Sequence, residues 1–356
     1  MSTLGKRPWL VILMLALGPG SGRAEESLRL FPPEVVRVSE DGSFHFSDPL
    51  LLRWPAPEGT ISCRLDALES EPAPAFSREA FSGDPRGPSR RDKFWAGAIA
   101  ATAMAASAWN SFGDGRSRSF HVTDEGFFSP NTYVGGGDKV SHFVSYNFLS
   151  RQVAILYEKL NFSPGSARWG GFLVSSAAGF VTELGDGRGR YGFSFEDWLC
   201  DTLGAGAAMV TTANHMDDLI GFRFGPLPEE GPKRDTDAIL GKDYSHEIYT
   251  ADLKIGGLAR RLHFDAGPAK FLMLSVTYGV KGYPYSAPAL RERQVGIELG
   301  LNFGGILRAF GVPEMTWWGI PIYMVFDTIR FPYTSIGYYY DLNHHKWHGP
   351  SNGQTF

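Results

Sequence analysis

Residues 293–305 read RQVGIELGLNFGG. Val295, Ile297, Leu299, Leu301 and Phe303 alternate there with Gly296, Glu298, Gly300 and Asn302. A repeat of two is the repeat of a strand, whose successive side chains point to opposite faces. A helix would space its apolar residues three and four apart instead. This stretch therefore assigns the C-terminal part of the chain to a sheet. HEIYTADLKIGG (246–257), KFLMLSVTYGVKG (270–282) and TSIGYYYDL (Thr334–Leu342) have the same character and supply further strands. WWGIPIYMVFDTIRF (Trp317–Phe331) is apolar but interrupted by Pro321, and its state stays open. The alternation also raises the idea of a partial outer-membrane barrel. The long alternating segments are too few for even a small closed one, so the plainer expectation is an antiparallel sheet packed on helices.

Working back from the sheet, Pro226 to Asp237 is a polar, Pro-containing loop, and the pattern before it is helical. Four helices are expected: Lys93–Asn110, Asp138 to about Leu160, Ala167–Leu184 and Ser194–Asn214. The fourth has clear start signals, with Ser194 as N-cap and Glu196 and Asp197 in its first turn. The third and fourth carry Gly171, Ser175 and Gly179, then Gly204 and Ala208. Small residues at that spacing let helix backbones approach closely, a habit of bundles that touch or enter membranes. The fold class is thus α+β, a small-residue-rich bundle of about four helices followed by an antiparallel sheet.

The N-terminus reads MSTLGKRPWLVILMLALGPGSGRAEES. Lys6 and Arg7 precede a short apolar run, Trp9–Leu17, and Gly22 and Ala24 are small residues at a cleavage spacing. That predicts a secretory signal peptide over 1–24 and a location in the periplasm or outer membrane of a Gram-negative bacterium. No cysteine follows the apolar run, so no lipid anchor is expected. Residues 25–92 form a Pro- and Ser-rich segment and linker, with short strands expected at Val35–Val38 and Ser43–Phe46; 93–225 form the helical domain and 226–356 the β-rich region. Thirty-four basic residues against 38 acidic ones give a net charge of −4, which leaves no nucleic-acid footprint. The expected partner is membrane lipid or the outer-membrane surface. Cys63 and Cys200 are read as two separate thiols.

Charged residues collect in the helical region. Asp138, Lys139 and His142 open the second helix; Glu183 and Asp186 close the third; Asp197 and Asp201 lie one turn apart on the fourth. If these helices pack side by side, the groups converge. His142 with Asp138 could then act as an acid/base pair. Glu183, Asp186, Asp197 and Asp201 could ligate a divalent metal, with Mg, Mn or Zn the candidates. Lys139, at a helix start preceded by Gly135–Gly137, could hold a phosphate or lipid head group. The competing expectation is a buried ionic cluster that only holds three helices in register. There is no HExxH, CxxC or GxSxG signature. DLNHHKWHG (Asp341–Gly349) clusters His344, His345 and His348, which could bind metal, but it reads rather as a solvated tail.

DKVSHF (Asp138–Phe143), TELGDG (Thr182–Gly187) and YGFSFEDWLCDTLGAG (Tyr191–Gly206) resemble the YfiM-like family of bacterial periplasmic proteins, and more distantly the VanZ-like membrane proteins. The resemblance extends loosely through the strands to about residue 340. It carries no activity with it. It implies that Asp138, Lys139, His142, Glu183, Asp186, Asp197 and Asp201 belong to one motif set, and that the protein sits in the cell envelope. The expected role is structural or interactive; the alternatives are a metal- or phosphate-dependent enzyme acting on an envelope lipid or glycan, and a transporter or channel component.

Overall fold

The computed structural model describes residues 36–38, 44–46, 87–112, 119–189, 191–226, 244, 247–283 and 286–351. They fall in two compact units. In residues 17–77, β1 (Val36–Val38) and β2 (Phe44–Phe46) pair antiparallel. The other unit holds the helices and the large sheet. The expected signal peptide over 1–24 and Cys63 lie outside the described residues.

Among the described residues of that unit, four long helices come first: α1 (Arg90–Phe112), α2 (Gly137–Lys159), α3 (Pro164–Asp186) and α4 (Phe195–Ala213). Three of them, α1, α3 and α4, start where a capping side chain satisfies a free backbone N–H group. Ser89 and Asp92 cap α1 reciprocally, the Asp92 N–H donating to Ser89 Oγ and the Ser89 N–H to Asp92 Oδ2. Ser163 caps α3 with Pro164 at its first position. Ser194 caps α4 by accepting from the Asp197 N–H at 3.2 Å. Before α2 the chain turns through Gly136 at φ 91°, where a Cβ would lie 2.5 Å from the Phe128 ring. Only glycine meets both conditions.

The helices pack through small residues, as their spacing predicts. A Cβ on Gly204 would sit 2.1 Å from the Phe143 carbonyl, and one on Gly171 2.4 Å from that of Ser150. α2 therefore lies backbone-close to both α3 and α4. Asn147 and Ser150 of α2 donate to the Gly204 and Ala205 carbonyls of α4. Tyr146, Leu149, Val153 and Tyr157 form the apolar core with Ala167 and Ala178 of α3 and with α1. No described helix is long and apolar enough to cross a membrane.

The second half is one antiparallel sheet in simple sequence order: β3 (Ile220–Pro226), β4 (Glu247–Lys254), β5 (Leu272–Lys281), β6 (Glu292–Leu301), β7 (Ser335–Asp341) and β8 (Lys346–Ser351). It is not closed into a barrel; β3 and β8 are its edges. Short helices α5 (Ile255–Leu262), α6 (Phe303–Ala309) and α7 (Gly319–Thr328) fill the connections. α7 resolves the open segment around Pro321, which sits in the first turn where its missing N–H costs nothing. β3 is an element that the sequence pattern missed, and β8 pairs with the expected strand β7 where a solvated tail was expected.

The polarity of this sheet is reversed. Register places Leu274, Leu299 and Ile336 in one cross-strand row and Val276, Ile297 and Tyr338 in the next. All six are exposed. The opposite face carries Arg223, Asp252, Ser275, Thr277, Glu298 and Tyr339, and all are buried. Along β6 the contrast is direct: Ile297 is 59% exposed and Glu298 1%. The charges on the buried face are paired. Arg223 makes two hydrogen bonds to Asp252, at 2.5 and 3.0 Å, and Ser275 donates to the same carboxylate. Arg330 grips Glu298 at 2.7 and 3.0 Å, and Tyr339 donates to it at 2.5 Å. Paired in this way, the buried charges avoid the penalty of isolated ones. The Arg330 N–H bonds the Phe224 carbonyl, so its backbone lies one step outside β3, while its side chain reaches β6. In a flat sheet that separation is about 19 Å, farther than an arginine reaches. The sheet curls around its polar face.

Candidate functional site

α2, α3 and α4 bring six of the seven candidate residues into two adjoining groups. The first is centred on Lys139, which is 1% exposed. Its ammonium lies 2.8 Å from Asp138, 2.8 Å from Asp197 and 2.7 Å from Glu125. Burial works against that charge, but the carboxylates, Asp138 and Asp197 foremost, hold its pKa well above the ordinary lysine value. Glu125 comes from the loop before the glycine turn. No periodicity marks it, and only its acidic character could have singled it out. Burial first, then Asp197, pushes its carboxyl up to about 7 against the pull of Lys139.

The second group is one turn along. His142 Nδ1 lies 2.8 Å from Asp201 Oδ1, and Glu183 stands beside them. Lys139 and His142 on α2 thus face Asp197 and Asp201 on α4 as two rungs of a ladder. The ring of His142 stacks on Tyr146, whose hydroxyl meets that of Thr182 at 2.8 Å. Glu183 Oε2 accepts the backbone N–H of Ser194 at 3.0 Å and so fixes the entry to α4. A Cβ on Gly179 would lie 2.4 Å from Asp201 Oδ2, so a glycine one turn before Glu183 makes room for that carboxylate. His142 keeps 18% of its side chain exposed, so the group is not sealed.

Electrostatics separates the four central groups. Burial disfavours a charged His142, but Asp201 and then Asp197 hold its pKa well above 6.5. Burial pushes Glu183 up to about 9. Burial also lifts Asp201, to about 6, against the attraction of His142. Asp197 is buried as well, yet His142 and Lys139 draw it below the usual carboxylate range. Neighbouring Cys200 is free and buried, and burial pushes its thiol up to about 11, which makes it a poor nucleophile.

Two placements differ from the spacing argument. Asp138 is the neighbour of Lys139 and does not share a partner with His142. Lys139 does not face an anion site: three carboxylates surround it, and a Cβ on Gly137 would strike Val280 and Tyr244 at the helix mouth. Asp186 raises the pKa of Glu183 by its charge but is not in either set of close-spaced donors.

Residues 124–213 match a family described as predicted periplasmic lipoprotein (DUF2279). The match begins one residue before Glu125 and ends with α4, so both ionic groups lie inside it. It spans about a quarter of the chain and none of the sheet. No curated protein and no solved structure matches the chain.

Proposed function

We propose that this is an exported cell-envelope protein that rests against lipid, at the outer membrane, through the apolar face of its sheet, with a structural or interaction role. The reversed polarity of β5–β7 carries the reading. A contiguous apolar face of that size is unusual on a monomeric protein in water, and patches of this kind mark contact surfaces. Here the charged face is the one withdrawn, which is the arrangement of proteins whose outer solvent is hydrocarbon. The outer faces of the helices agree: Phe195, Leu199, Leu203 and Val210 form an exposed apolar stripe on α4, and Trp169, Leu173 and Phe180 one on α3. The N-terminal segment and the periplasmic description of the matched family support the compartment. The YfiM-like likeness of the three motifs belongs to the same reading, with the ionic groups serving as the register of the helical core.

Expression of the full chain in a Gram-negative host, followed by membrane separation and an alkaline carbonate wash, tests it. The protein is expected to stay with the outer-membrane fraction and to need detergent for release. Recovery as a soluble monomer after the wash would overturn the proposal.

A further inference from the structure

Each of the two ionic groups gathers three acidic or imidazole ligand atoms within 4.8 Å of one another. In the group of Glu125, Asp138 and Asp197 the chain supplies its own cation, Lys139. In the group of His142, Glu183 and Asp201 it supplies less. The His142–Asp201 contact uses Asp201 Oδ1 and the Ser194 N–H uses Glu183 Oε2. Asp201 Oδ2 and Glu183 Oε1 are buried with no hydrogen-bond partner, on residues 0% and 1% exposed. Buried acceptors left in that condition cost about 1–3 kcal/mol each.

We propose that His142, Glu183 and Asp201 bind one divalent transition-metal ion, of the Zn²⁺ or Mn²⁺ class. Two carboxylates match the charge of such an ion. The imidazole favours a transition metal over Mg²⁺ or Ca²⁺, which prefer oxygen alone. Donors on a tetrahedral ion stand about 3.4 Å apart, from bond lengths near 2.1 Å, so a small inward movement of side chains closes the site. The three ligands come from three helices, so the ion would tie α2, α3 and α4 together. The partial exposure of His142 leaves a way in and a coordination position for water. Another acidic and histidine group, Glu292, Asp341 and His348 on the sheet, is less apt, because the Asp341 oxygens are taken by the Asn343 N–H and by His344.

The test uses the full-length protein in detergent, stripped with a chelator and then equilibrated with Zn²⁺ or Mn²⁺. Elemental analysis is expected to show one equivalent of metal, and thermal unfolding a rise in Tm on loading. His142→Ala and Asp201→Asn should each weaken binding at least 100-fold, while His344→Ala/His348→Ala and Asp138→Asn should retain the equivalent. Cobalt loading of the wild type gives a readout that needs no variant: visible d–d bands of a low-coordinate nitrogen and oxygen site are expected. No stoichiometric metal at micromolar free ion, an ion retained by both His142→Ala and Asp201→Asn, or a cobalt spectrum like that of the hydrated ion would each overturn the proposal.

Discussion

At the scale of single residues, the helical core is decided by one ammonium among three carboxylates. Removing the charge of Lys139 strands Asp138, Asp197 and Glu125 together. Breaking a buried pair in this way costs about 3–5 kcal/mol, so Lys139→Met is expected to lower stability by that order in denaturant unfolding. Glu125 has the opposite character. Its folded-state pKa of about 7 lies above its ordinary value of 4.5, so between those limits the folded protein holds the extra proton. Stability from this group is present at acid pH and is lost as pH rises through 7. The groups that face it are Lys139, Asp138 and Asp197. Glu125→Gln keeps the neutral form at all pH, and Lys139 keeps its other two partners. The variant is expected to match the wild type near pH 5 and to exceed its Tm by several degrees at pH 8.5. An unchanged difference across that range would contradict the assignment.

At the scale of elements, close helix contact depends on particular glycines. Gly204→Ala drives a methyl group into the Phe143 carbonyl of α2, which cannot move without its helix. A loss of about 1–3 kcal/mol is expected, as for other overpacked sites. Gly206, two residues along the same helix, has only the Phe172 ring within reach, at 3.9 Å. There Ala should be neutral or gain up to about 1 kcal/mol from helix propensity. Equal effects at 204 and 206 in unfolding experiments would show that α2 and α4 are not packed in this way. The helices were legible in the chain because capping residues and small-residue spacing are local signals: Ser194 with Glu196 and Asp197 announces α4 with no tertiary information. β3 was not legible. IGFRFGP is a short run beside a helix end, and its strand state comes from pairing with β4. The pairing of Lys139 with Glu125 was hidden for a similar reason, since it joins a helix to a loop 14 residues away. His142 with Asp201 was foreshadowed by helix faces, and the fine geometry around Asp201 needed Gly179 on a third helix.

At the scale of the whole molecule, alternation in the sequence predicts a sheet but not which face is buried. RQVGIELGLNFGG has the same period whether Ile297 or Glu298 points inward. The answer lies in long-range partners: Glu298 meets Arg330, which is placed by the turn after α7, and Tyr339 on the adjacent strand. With the charges of that face paired, the row of Leu274, Leu299 and Ile336 is left outward. Charges placed on a lipid-facing strand cost about 2–4 kcal/mol at mid-depth and about 0–1 near the interface. Ile297→Lys with Leu299→Lys should therefore release the protein from membranes in the carbonate wash. Thr277→Val, on the buried polar face, should leave membrane retention unchanged.

The most direct measurement of this account is a nitroxide scan along β6 in membrane-reconstituted protein, with Cys63 and Cys200 replaced and single cysteines placed from position 295 to 301. Accessibility to molecular oxygen, which concentrates in lipid, is compared with accessibility to a water-soluble nickel chelate. The predicted result is a period-two pattern, with labels at 297, 299 and 301 open to oxygen and shielded from nickel, and labels at 296, 298 and 300 shielded from both. Nickel access at 297 and 299 equal to that of an exposed loop would place this face in water and contradict the account.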